Sequence, residues 1–238
     1  MRKGTAVALG TVGGGLAVAH AAPALMPLLP PLANAIGVPL GLPEELADQS
    51  VAITFDDGPH PEGTPEVLRI LDERGVKATF FLVGERVEAT PELAAEITAE
   101  GHRIALHCFQ HRNALRLTGP QIRDDIARAK ETIHSATGVE CDLQRAPLGI
   151  YTPAFLREVK RANLQPWLWT QWGRDWRARA TPESIIKDAT AKLKAGDVVL
   201  LHDGDDYSAE GSHLRTVAAL PGVLNAVETR SLDTVVLP

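Results

Sequence analysis

The chain has 238 residues, 45% of them apolar and 23% charged, and a net charge of −6. That length carries one large domain with a well-buried core, or at most two small ones. The acidic balance excludes a broad basic face, and with it nucleic acid as the expected partner.

The first residues stand apart. Arg2 and Lys3 are followed by no Asp, Glu, Lys or Arg until Glu44. Residues 5–19 are small and apolar, and Ala19-His20-Ala21 has the small-x-small form of a cleavage site, so residues 1–21 read as an export signal. An uncleaved anchor giving membrane attachment is the alternative; an apolar segment packed on the domain is the plainer one. Residues 22–49 read as a linker or strap, because 22–43 carry six prolines and cannot continue as helix.

From residue 50 onward strands and helices alternate. Val51–Phe55 is an apolar strand running into an Asp-Asp-Gly-Pro turn. Thr64-Pro65-Glu66 opens a helix that Gly75 ends, since Thr caps well and Pro suits the first turn. Strand 78–83 follows, then a helix between Thr90-Pro91-Glu92 and Gly101. Arg103–Leu106 leads into His107. Ile122, Ile126, Ala129 and Ile133 mark the clearest helix, 119–136. A short strand over 142–146, a helix over 153–162 and a strand over 167–170 come next. Thr181-Pro182-Glu183 starts a helix ending near Gly196. Strand 197–201 reaches His202-Asp203; a helix (213–229) and a strand (233–237) close the chain. Repeated βα units predict a parallel sheet, and this many favour a distorted or incomplete (β/α) barrel with about seven parallel strands. Residues 50–238 form the catalytic domain of this reading.

The residues just past these strands carry chemistry: Asp56 and Asp57, His107 and His111, Arg145, Asp175, then His202 and Asp203. In a parallel α/β barrel these ends share the face where catalytic groups collect. Singly each has a plain explanation. An Asp-Gly-Pro turn is favoured as a turn, spaced histidines are often surface residues, and His202-Asp203 suits a helix cap. Together they form a usable set. One carboxylate and two histidines hold a divalent ion such as zinc with positions open for water. A second carboxylate acts as base, a separate histidine as acid, and an arginine grips the base through a bidentate pair. Cys108 and Cys141 have neither metal-type spacing nor a disulfide framework; two buried thiols is a simpler reading than one bridge.

Five segments make the pattern specific: Thr54-Phe55-Asp56-Asp57-Gly58-Pro59, His107-Cys108-Phe109-Gln110-His111, Arg145-Ala146-Pro147-Leu148-Gly149, Asp175-Trp176 and Leu200-Leu201-His202-Asp203. With Ala78–Gly84 they make residues 50–238 resemble the polysaccharide deacetylases (NodB homology domain, carbohydrate esterase family 4). The resemblance implies a hydrolase that removes N-acetyl groups from peptidoglycan or chitin-like glycans, with an Asp base and a His acid acting on a metal-bound water. Asp57, His107 and His111 would be the ligands of one divalent ion, Zn2+ first among the transition metals. Asp56 would be the base and His202 the acid, with Arg145 positioning the first and Asp175 the second. The backbone N–H of Leu148 would serve the oxyanion, and Trp176 and Leu200 the acetyl methyl. The partner is then an acetylated glycan, the location outside the cell membrane, and the default state a monomer. Two departures stand out. Cys108 replaces the usual hydroxyl residue, and Leu148 replaces an aromatic. Leu148 leaves open an O-acetyl esterase or small-amide hydrolase; a non-catalytic carbohydrate-binding protein is disfavoured, since base, acid and ligands are all present.

Trp167, Trp169, Trp172 and Trp176 crowd ten residues, so at least two are core and one or two are available to stack on sugar rings. Arg174, Arg177 and Arg179 read as a solvated basic loop that could also meet an anionic polymer. Asp205, Asp206, Tyr207 and Glu210 read as a loop facing either solvent or substrate.

Overall fold

A computed structural model describes residue 33 and residues 35–238. The expected export segment, 1–21, and the first part of the linker lie outside the described residues.

The elements in chain order are α1 (Glu44–Ala47), β1 (Ser50–Asp56), α2 (Gly63–Glu73), β2 (Thr79–Val83), α3 (Gly84–Ala89), α4 (Pro91–Ala99), β3 (Arg103–Cys108), α5 (Gly119–Thr137), β4 (Leu143–Gln144), α6 (Pro153–Arg161), β5 (Gln165–Pro166), β6 (Gln171–Trp172), α7 (Pro182–Thr190), β7 (Val198–His202), α8 (Ser212–Thr229) and β8 (Asp233–Val235). All pairings are parallel, and the sheet runs β5-β4-β3-β2-β1-β7-β6. This is the incomplete barrel the alternation predicts: seven strands in one path, helices outside. β8 pairs with the first half of β1.

β1 is the axis. Every residue from Val51 to Asp56 is buried, as expected of a parallel strand covered on both faces. Its register sets Asp56 beside His202 of β7 and beside Phe81 of β2. α5 packs through Ile122, Ile126, Ala129 and Ile133, starts in a Thr118/Gln121 capping box, and stops at Gly138, whose φ of 72° suits a residue without Cβ.

Two expected elements differ, and one helix was not expected. Residues 167–170 are not a strand but the crossing between β5 and β6. The amides there reach separate elements: Trp167 donates to Gln144 O, Leu168 to Pro39 O and Thr170 to Val198 O. No single ladder can form from such partners. α7 ends at Thr190 rather than near Gly196, since Leu193 N–H turns back to Thr190 O and Lys194 N–H to the Asp197 carboxylate. α3 carries no start signal, because its cap is Val83, which makes no side-chain hydrogen bond.

The described part of the linker is a packed strap. Val38, Leu40 and Leu42 are buried, and Leu42 N–H donates to Gly196 O. Cys108 and Cys141 are buried free thiols. Among the described residues no helix is long and apolar enough to cross a membrane.

Candidate active site and metal centre

Asp56 ends β1, and Asp57 begins the turn with φ 79°. The turn is clamped from below. Thr64 Oγ1 donates to Asp203 Oδ2 at 2.5 Å, and a Cβ on Gly58 would meet that carboxylate at 2.4 Å. Asp203 therefore packs beneath the turn, outside the pocket. His107 lies at the end of β3, and Asp125 of α5 holds the loop that follows. One carboxylate accepts from Phe109 N–H (2.8 Å), Gln110 N–H (3.2 Å) and Arg112 Nη2 (2.8 Å).

These supports bring His107 Nε2 and His111 Nε2 each to 3.5 Å from Asp57 Oδ1. Ligands about 2.1 Å from a tetrahedral ion lie about 3.4 Å apart. Asp57 Oδ1 is buried and accepts no hydrogen bond, which is costly unless a cation completes it. Burial pushes the Asp57 carboxyl up to about 7, drives His107 well below its ordinary range and takes His111 down to about 4. A divalent charge here would favour the carboxylate and the neutral imidazoles it needs. Asp57, His107 and His111 are thus a group that could hold a metal ion. Cys108, next in the chain, is not part of it; burial holds its thiol well above the ordinary range.

Arg145 is fully buried and reaches Asp56 Oδ1 at 2.7 Å, Thr54 Oγ1 at 2.9 Å and Leu168 O at 2.8 Å, with its guanidinium 3.9 Å from the Phe81 ring centroid. The bidentate grip expected on Asp56 is instead a single contact, because Nη2 is taken by Leu168 O. Burial raises Asp56 above the usual carboxylate range while Arg145 pulls against it.

Opposite stands His202. Its Nδ1 lies 2.8 Å from Asp175 Oδ1, while its own N–H and Thr216 Oγ1 donate to Asp175 Oδ2. Burial alone would lower His202, but Asp175, with Asp57 and Asp56 behind it, lifts it to about 10. Burial works against the Asp175 carboxylate too, yet His202 and these hydrogen bonds hold it below its ordinary value. His202 Nε2 faces Asp57 Oδ2 at 4.0 Å.

A cavity of about 180 Å³ opens over these groups, lined also by Leu148, Gly149, Leu200, Tyr207 and Ser208. Leu148 sits at the apex of a 3₁₀ turn with φ 60°, its side chain 57% exposed. Of the tryptophans, Trp167 is core, while Trp169, Trp172 and Trp176 line the cavity in steps of 5.8 and 5.7 Å, the last meeting His202 at 5.5 Å. The guanidinium groups of Arg174 and Arg177 lie 5.1 and 5.9 Å from the Trp172 and Trp176 ring centroids.

Every residue assigned to the site from its motif therefore faces one pocket or directly supports one that does. Thr54 was quoted in the first segment without a role; unmarked in the sequence were Thr216, Asp125 and Glu85, whose side chains brace the site from other elements.

Residues 44–167 match the family model described as polysaccharide deacetylase. The chain belongs to the polysaccharide deacetylase family. It is 36% identical over 197 residues to a chitooligosaccharide deacetylase of Bradyrhizobium sp. (80% of this chain, 90% of that one). It is 37% identical over 179 residues to a peptidoglycan-N-acetylglucosamine deacetylase of Bacillus cereus (74% and 81%). A solved peptidoglycan N-acetylglucosamine deacetylase, in complex with 4-naphthalen-1-yl-N-oxidanyl-benzamide, superposes with a TM-score of 0.78 at 28% identity, covering 86% of this chain and 92% of that one.

Proposed function

We propose that the protein is a metal-dependent hydrolase that removes N-acetyl groups from a cell-wall or chitin-like glycan outside the cell membrane. The observation that carries this is the buried, hydrogen-bond-free Asp57 Oδ1 facing two histidine nitrogens at 3.5 Å, with Asp56 Oδ2 4.0 Å from His107 Nδ1 and His202 Nε2 4.0 Å from Asp57 Oδ2. Asp57, His107 and His111 would hold the ion, for which Zn2+ suits one carboxylate and two imidazoles. When bound, such an ion supplies a Lewis acid toward the amide carbonyl and acidifies water.

The remaining work falls to side chains. Asp56, kept in place by Arg145, takes the proton from the attacking water. His202 gives a proton to the departing nitrogen; Asp175 keeps it charged and directs Nε2 into the pocket. The Leu148 amide, at the tip of its turn, donates to the carbonyl oxygen as negative charge grows there. Leu200 and Trp176 shape the space for the acetyl methyl. The products are acetate and a free amino sugar. Relatives named for peptidoglycan and chitooligosaccharide deacetylation support this substrate class, and a wall substrate accords with reading residues 1–21 as an export signal.

The test is acetate release from N-acetylglucosamine oligomers and from peptidoglycan, with and without chelator. Release that stops with chelator and returns with Zn2+ is expected. No release from any acetylated glycan with metal supplied would defeat the proposal.

A further inference from the structure

In the loop between β7 and α8, residues 204–211 belong to none of the five motifs, yet they reach the pocket. Its Tyr207 ring lies parallel to the His111 ring, with centroids 4.5 Å apart and planes 14° from coplanar. The Tyr207 hydroxyl donates to Glu85 Oε1 at 2.6 Å, while Gln110 Nε2, on the loop carrying His111, approaches the other oxygen of Glu85 at 3.5 Å. Glu85 is placed by its own backbone, since its N–H donates to Phe109 O at 3.0 Å. One carboxylate thus spans two loops that share no ladder.

At its base the loop is clasped by Asp205. That carboxylate accepts from Gly211 N–H at 2.6 Å and lies 3.3 Å from His60 Nε2 and 3.1 Å from His213 Nδ1. The cluster has the composition of a second metal centre, but its tautomers exclude that use. His60 Nδ1 accepts from Glu62 N–H and Gly63 N–H at 3.3 and 3.0 Å. The ring hydrogen therefore sits on Nε2, toward Asp205, and leaves no lone pair there for an ion.

We infer that Tyr207 and Glu85 are positioning residues for His111, fixing the ring plane of one metal ligand from outside the coordination shell. The inference rests on His111 being a ligand. It has physical force because His111 sits on the loop after β3, where no ladder fixes it, and its side chain is 10% exposed against 2% for His107. A ligand on a loop loses affinity through ring rotation, and a stacked neighbour removes that freedom. Tyr207 suits the task because its ring packs while its hydroxyl is anchored.

The experiment is Zn2+ affinity by competition with a fluorescent chelator, with folding followed by circular dichroism. Wild type should bind one Zn2+, and His107→Ala should lose it. Tyr207→Ala should bind about 10–100-fold more weakly. Tyr207→Phe, which keeps the stack, should fall between, and Glu85→Gln, which keeps an acceptor, should stay nearer wild type than Glu85→Ala. Asp206→Ala cuts a neighbouring tie to Arg86 and should leave affinity within about threefold. Equal affinity of folded Tyr207→Ala and wild type would overturn the inference, as would Asp206→Ala matching Tyr207→Ala. No binding by wild type would instead defeat the metal reading itself, and binding of two ions the tautomer argument.

Discussion

Asp56 lines the pocket with its carboxylate on Arg145, so its basicity is set by burial, which raises it, against that contact, which lowers it. Asparagine there keeps the shape and still accepts from Nη1, but it cannot take a proton. Asp56→Asn should lower acetate release about 10²–10⁴-fold while Zn2+ affinity stays near wild type; equal losses in both would make Asp56 a ligand rather than a base. A second buried group sits away from the chemistry. His102 Nδ1 accepts from Ala78 N–H at 3.1 Å and its ring edges onto Phe80, tying the starts of β2 and β3. Burial lowers His102 from 6.5 to about 4, so between those values the unfolded chain binds more protons than the folded one. Stability must then fall as pH drops through this window and level off below it. Wild type should lose on the order of 2 kcal/mol more than His102→Asn between about pH 6.5 and 4.5, read from urea midpoints. The asparagine keeps an acceptor and does not titrate, and parallel curves for the two proteins would refute the assignment.

Among the elements, the 3₁₀ turn at Pro147–Gly149 is where backbone geometry and pocket shape meet. Gly149 has φ 67°, and a Cβ on it would sit 2.6 Å from the Trp169 ring. Gly149→Ala combines backbone strain with a displaced indole, so a stability loss of about 1–3 kcal/mol is expected. Acetate release should fall with it, because the same turn presents the Leu148 amide. Unchanged kcat/KM and melting temperature would count against that turn as a fixed wall. The segment of this turn was marked in the sequence but its conformation was not. β1, β3 and β7 were legible because their apolar runs end in polar residues, β2 because its run ends at Gly84, and β4 lay within the short strand expected over 142–146. β5 and β6 were not: they hold two residues each, and four closely spaced tryptophans imitate a strand where the chain crosses. The braces were hidden for a different reason. Asp125 and Glu85 are acidic residues on amphipathic or short helices, where an outward carboxylate is the ordinary case. Only the tertiary fold turns them toward the loop of His107 and His111.

At the scale of the whole molecule, the motifs of residues 50–238 do not account for everything that holds the site. Pro39 O accepts from Leu168 N–H, and Leu168 O accepts from Arg145 Nη2. One residue, Leu168, thus links the strap to the arginine behind Asp56, while Val38, Leu40 and Leu42 are buried in the core. A protein trimmed to begin at Glu44, where the family match begins, would keep every motif residue and lose that support. Compared with one beginning at Ala33, it should melt at lower temperature, with a loss on the order of 5 kcal/mol from three buried side chains, and show reduced turnover at saturating Zn2+. Equal melting and turnover would show the strap to be dispensable. On the expectation of that loss, a gene cut for expression should start upstream of Val38, and the folded unit would then begin in a stretch that carries no catalytic residue.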